Sequence, residues 1–174
     1  LHPPIIETVA VGEPGELSLY YMKQDYISQV TKAVKGLPAW RLPAGSVSAN
    51  KADLKKRLAD LLPPEIDIDT AIATAKVPSV SLGQILKKHD IEKYDVLQID
   101  TESCDDVTIF NSSLELVSPK IINFEYCHLG IRMAELVNYL EGLGYRTITY
   151  SGEDAIALKS TEFDVEKLWS EFLK

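Results

Sequence analysis

Many patterns that would settle a function at sight are missing from these 174 residues. No apolar run approaches the roughly 20 residues that a membrane span needs, and no signal-peptide pattern opens at Leu1. Cysteine is scarce. Cys104 and Cys127 have neither metal-ligand spacing nor the makings of a disulfide framework, and each follows an apolar strand. Buried, reduced thiols near one sheet edge are expected, in an intracellular setting such as cytoplasm or an organelle interior. Positive charge is in deficit, with 18 Lys and Arg against 26 Asp and Glu and a net charge of −8. That balance argues against a broad nucleic-acid footprint. The one basic cluster, Lys51, Lys55, Lys56 and Arg57, is interrupted by Asp53 and Asp60 and reads as a solvated helix face. There is no G-x-S-x-G elbow, phosphate loop, paired CxxC or HExxH.

What remains is an ordinary globular composition, 45 % apolar and 25 % charged, long enough for one domain with a real core. Ile5–Val11 reads as a strand. Glu13-Pro14-Gly15-Glu16 turns it into a second strand over Leu17–Tyr21. A short helix is expected at Ile27–Val34 and a loop through Gly36, Pro38, Pro43 and Gly45. Ser48–Leu62 is amphipathic, with Leu54, Leu58, Leu61 and Leu62 on one face and Asp53 paired to Arg57; Pro63 stops it. A strand follows near Thr70–Val77.

The second half alternates more regularly. Ser81 and Gln84 have capping-box spacing at the head of a helix over Ser81–His89. Strand Tyr94–Asp100, helix Asp105–Ser112 and strand Lys120–Tyr126 come next. Helix Ile131–Leu143 carries Met133, Leu136, Val137 and Leu140 on one face and ends at Gly142 and Gly144. Tyr145–Tyr150 and Ala155–Leu158 form a hairpin across Ser151–Asp154. Asp164 caps a last helix with Leu168, Trp169 and Phe172 inward. This order predicts an α/β domain. Its mostly parallel sheet is covered on both faces and gains an antiparallel strand from the final hairpin.

Ligands of open α/β sheets bind beyond the carboxyl ends of the strands. Two tips qualify: Gln98-Ile99-Asp100-Thr101-Glu102 and Phe124-Glu125-Tyr126-Cys127-His128. If the strands are parallel neighbours, Asp100, Glu102, Glu125 and His128 converge. Histidine titrates near pH 6.5, and a carboxylate can orient its ring and support its cation, which suits a general base. Each residue also has a plain structural role open to it. Asp100 can cap the next helix, and Glu102 can favour its N-terminus. Glu125 is the hardest to explain by structure alone, because a buried lone carboxylate is costly. The same four could hold a divalent metal through oxygen and imidazole, but spacing alone does not assign one. Tyr20, Tyr21, Tyr26 and Trp40 could meet a ligand or simply pack.

At these tips the chain resembles the FkbM-type methyltransferase family. The resemblance runs through Ile6–Gly12 with the hairpin to Leu19, Val77–Leu82, Asp95–Glu102, Pro119–Glu125 with His128-Leu129, and Leu143–Tyr145. It therefore covers nearly the whole chain, in order. It implies a class I methyltransferase (Rossmann-like) fold and methyl transfer from S-adenosylmethionine (SAM), generally to an oxygen of a sugar or other small-molecule acceptor. By position it makes Asp100, Glu102, Glu125 and His128 catalytic and places Ala10, Val11, Asp100 and Thr101 beside the cofactor. Three positions depart from the family's K-I-D-x-E-G motif and the acid after it: Gln98 stands for Lys, Ser103 for Gly and Asp105 for Glu.

The family's first strand and glycine-rich cofactor loop should precede Leu1, and no G-x-G follows a strand here. The expectation is thus a single partial domain over 1–174, with a variable insert at 22–80 and the N-terminal strands missing. The cofactor half would lie upstream, and that segment or a partner protein would cover the open sheet edge. The competing expectation is a non-catalytic methyltransferase-like subunit that packs within a larger assembly.

Overall fold

The computed structural model describes residues 4–33, 47–101 and 104–172. The chain is α/β, with two four-stranded sheets among the described residues. It divides into two compact units, one of Leu1–Ala10 and Gly15–Ser79, the other of Val11–Pro14 and Val80–Lys174. The segment read as an insert, 22–80, falls almost wholly in the first.

The first unit holds Ala10 of β1 (Ala10–Val11), β2 (Gly15–Met22), β3 (Val47–Ser48) and all but Val80 of β4 (Ile72–Val80); the strand order is β1-β4-β2-β3. β2 runs antiparallel to β4 from Gly15 opposite Ser79 to Met22 opposite Ile72. The hairpin expected between Ile5–Val11 and Leu17–Tyr21 does not form, because β4 lies between β1 and β2. The nine-residue β4 pairs with every residue of β2, a longer ladder than the two residues of β1 could offer. Ile5 and Ile6 stay exposed and outside any strand.

The described helices of this unit are α1 (Gln24–Ala33), α2 (Lys51–Ala59) and α3 (Ile68–Ala71). α2 begins three residues later than expected, because Asn50 rather than Ser48 caps it. The Asn50 side-chain oxygen accepts from the Ala52 and Asp53 amides. Ser48 belongs instead to β3, opposite Tyr20. The apolar face of α2 goes inward as its spacing predicts: Leu54, Leu58 and Leu62 are buried with Met22, Val30, Ala71 and Ile72. Arg57 donates to the Val47 carbonyl at 3.0 Å. The loop expected around 36–45, with Trp40 in it, lies outside the described residues.

The second unit comprises α4 (Leu82–Lys88), β5 (Val96–Gln98), α5 (Asp105–Phe110), β6 (Ile121–Glu125), α6 (Arg132–Gly142), β7 (Tyr145–Thr149), β8 (Asp154–Lys159) and α7 (Val165–Phe172). The capping box of α4 is complete, with the Ser81 and Gln84 side chains each accepting from the other's amide. Gly83 lets this helix approach Ser113, since a Cβ there would meet the Ser113 hydroxyl oxygen at 2.5 Å. Gly144, at φ +82°, supplies the left-handed residue after α6. The Asp164 carboxylate accepts from the Lys167 amide and caps α7. Leu168, expected to face inward, is 44 % exposed.

The sheet order is β5-β6-β8-β7. β5 and β6 are parallel, and β8 is antiparallel to both of its neighbours. Three strands therefore point one way and β8 alone is reversed. Full cover on both faces is not what the burial shows. Ile122 and Phe124 of β6 are completely buried, whereas Ile121, Asn123 and Glu125 between them are only half-buried. Period-two burial is the pattern of a sheet with one face on the core. That core gathers Ile99, Ile109, Leu114, Leu129, Leu136, Leu140 and Tyr145 around them.

Candidate functional site

The parallel pairing of β5 and β6 brings the two strand ends to the same side of the sheet, with Gln98 opposite Asn123. Beyond β5 lie Ile99, which is buried, the exposed Asp100 and the half-buried Thr101. Beyond β6 the chain turns at once. The amides of Tyr126 and Cys127 both donate to the Glu153 carbonyl, at 2.8 and 3.3 Å, and the Leu129 amide donates to the Tyr126 carbonyl. Buried Leu129 anchors this turn.

One residue links the two tips. Asp105, the first residue of α5, is fully buried. Its carboxylate accepts from the Thr101 hydroxyl at 2.8 Å, the Thr101 amide at 3.3 Å and the Glu125 amide at 3.1 Å. Burial pushes the carboxyl above the ordinary carboxylate range; the donors from Thr101 and Glu125 pull it back, and the nearby Asp100 charge pushes it further up. The sequence marks Asp105 only as the counterpart of a family acid. Its bridging position between the strand ends emerges from the fold. The neighbouring Asp106, also buried, accepts from Nη1 of Arg132 on both carboxylate oxygens, at 2.6 and 2.7 Å, and so ties α5 to α6. Nothing in the sequence pattern marks that pair.

Of the four residues expected to carry chemistry, the structure brings two together. His128 Nε2 lies 3.7 Å from Glu125 Oε1, with Glu125 largely shielded and His128 at the surface. Asp100 stands at the other tip, close enough to Asp105 for its charge to be felt. Glu102 lies outside the described residues. A third group joins the β6 tip: Cys127 Sγ is 3.5 Å from Glu125 Oε1. Cys127 is exposed and Cys104 half-buried, which corrects the expectation of two buried thiols. Desolvation, helped by the Glu125 charge, pushes the Cys127 thiol up to about 11.

Gln98, standing where the family has Lys, is used across the sheet. Its side-chain oxygen accepts from the Asn123 amide at 2.8 Å, and Asn123 in turn accepts from the Tyr150 hydroxyl at 3.0 Å. This neutral chain occupies the outer surface just before the tips.

Two of the residues expected beside the cofactor, Val11 and Thr101, are used in hydrogen bonds within the second unit. The Thr101 hydroxyl and amide are committed to Asp105. The Val11 carbonyl accepts from the Thr108 hydroxyl at 3.2 Å, and Ala10 is part of the short β1. Asp100 alone offers an exposed carboxylate. Among the aromatic candidates, Tyr20 and Tyr26 pack on the core of the first unit. Lys51 and Lys55 of the basic cluster both pair with Asp69, at 3.1 and 2.6 Å. Among the described residues no helix is long and apolar enough to cross a membrane.

Comparison with protein-family models, with curated proteins and with solved structures returns no match.

Proposed function

We propose that this chain is the acceptor-side part of a SAM-dependent methyltransferase of the FkbM type that methylates a hydroxyl of a small molecule or sugar. The cofactor would be held by residues outside this sequence. The observation that carries the reading is the joining of two acid-bearing strand ends, β5 at Thr101 and β6 at Glu125, through buried Asp105. The sheet β5-β6-β8-β7 is mixed, with one parallel pair and two antiparallel ones, and it is the parallel β5–β6 pair that supports the reading, by bringing both tips to one side. Asp105 fixes the tips, Asp100 holds a polar acceptor from the β5 side, and His128 takes the acceptor's hydroxyl proton while Glu125 supports the imidazolium. Most of the rate enhancement would be positioning.

The test uses the full-length protein from its native source. It should bind S-adenosylhomocysteine in calorimetry, and Asp100→Ala and His128→Asn should each lower turnover by about 10²-fold or more with the fold intact. A full-length protein that binds no S-adenosylhomocysteine, or variants that turn over normally, would overturn the reading.

A second reading is a non-catalytic packing subunit. The observation that favours it is the edge strand β5, whose Val96 is 56 % exposed. Under that reading the protein co-purifies with a partner bound along β5, and Val96→Lys releases it without loss of fold. A β5 edge that stays exposed in the native assembly would exclude it.

A further inference from the structure

We propose that Glu125, Cys127 and His128 form a three-ligand site for a borderline-soft divalent ion, with zinc the best fit. One carboxylate oxygen, one sulfur and one imidazole nitrogen lie within 4.8 Å of one another. Glu125 Oε1 is 3.5 Å from Cys127 Sγ and 3.7 Å from His128 Nε2. Metal–ligand bonds of about 2.0–2.3 Å at tetrahedral angles put neighbouring ligand atoms about 3.3–3.6 Å apart. The two distances are therefore already near the edges of a coordination tetrahedron.

The donor set selects the ion. Sulfur and imidazole disfavour magnesium and calcium, which take oxygen ligands, and suit zinc or cobalt. The backbone around the ligands is held before any ion arrives. The Glu125 amide is fixed by Asp105, and the Tyr126 and Cys127 amides by the Glu153 carbonyl. The carboxylates of Glu125, Glu153 and Asp154 surround the thiol with negative charge, which favours a cation. Cys127 and His128 are at the surface, so an ion can enter. Three protein ligands with the fourth position toward solvent is the arrangement of zinc sites that bind water or substrate, in contrast to closed structural sites.

The site does not depend on methyl transfer. An ion on His128 Nε2 would occupy the lone pair that a proton would otherwise take, so zinc is expected to oppose the base role proposed above.

The experiment is a cobalt(II) titration of the chelator-treated, reduced protein, followed by zinc competition. Expected is one equivalent of cobalt per chain, a near-ultraviolet thiolate-to-cobalt charge-transfer band, visible bands of tetrahedral intensity and displacement by zinc. Cys127→Ser should abolish the charge-transfer band, His128→Gln should weaken binding at least about tenfold, and Cys104→Ser should leave both unchanged. Zinc should also protect Cys127 from alkylation in the unmutated protein, a readout that needs no variant to fold. Absence of the charge-transfer band, its persistence in Cys127→Ser, or alkylation of Cys127 unaffected by zinc would overturn the proposal.

Discussion

The two units of this chain differ in the polar residues that they bury. In the first, the charged pairs stand in solvent: Lys76 with Glu16 at 2.6 Å, Lys51 and Lys55 with Asp69. Its buried polar residues, among those described, are Ser48 and Ser79. In the second, Asp105, Asp106, Thr108 and Ser112 are buried, and each is hydrogen-bonded within that unit. Exposed pairs contribute little, because water screens them and two long side chains must be held still. Buried polar groups are costly unless satisfied, and a satisfied set fixes one arrangement. The unit with the buried carboxylates is also the one with the clustered tips, which is where exact placement of side chains matters.

The largest test of this contrast is the core that backs the tips. Phe124→Ala should cost about 3–5 kcal/mol in denaturant unfolding, because a fully buried ring would leave a cavity under β6. A cost below about 1 kcal/mol would mean that this sheet face is not a packed core.

Next is Asp105→Ala, expected to cost about 3 kcal/mol, since it leaves the amides of Thr101 and Glu125 without their acceptor. Hydrogen exchange should speed up at those two amides in particular. Unchanged exchange there would break the link between the tips. Arg132→Met, which strips a buried Asp106 of its guanidinium, should cost about 2–3 kcal/mol. Lys76→Met should cost less than about 1 kcal/mol. Equal costs for these two would erase the distinction between the units.

The smallest effect is a pH dependence. The Tyr139 hydroxyl donates to Glu115 at 2.7 Å and holds that carboxyl below its ordinary value. Burial, reinforced by Glu115, pushes the Tyr139 hydroxyl up in return. A lowered folded-state pKa contributes stability above the unfolded value and loses it as pH falls through the folded value. Tyr139→Phe should therefore move the Glu115 midpoint up toward the ordinary range in an NMR titration and soften the acid limb of the stability curve. An unmoved midpoint would show that the hydroxyl is not its cause.

Local chemistry was legible at several places where it acted within a few residues. The capping box at Ser81 and Gln84, the Leu54–Leu58 face, the Gly144 stop and the Asp164 cap depend on neighbours one turn away, and each stands where its spacing puts it. The alternation of helix and strand from Ser81 onward was legible for the same reason. Partner choice was not. Ile5–Ile6 reads as part of a strand by composition yet remains outside the sheet, because a strand exists only where another offers it a ladder. Gln98 reads as the loss of a cation, while its use as a link to Asn123 depends on the register of β5 against β6.

By itself, then, the sequence determined an α/β chain, most of its helices and the carboxylates at two strand ends, because periodicity and capping are local. Only the tertiary structure decided that β4 parts β1 from β2, that Asp105 joins the tips, and that Cys127 stands with Glu125 and His128. Those facts depend on which distant segments meet, and hydrogen-bond ladders and core packing settle that only when the chain is folded.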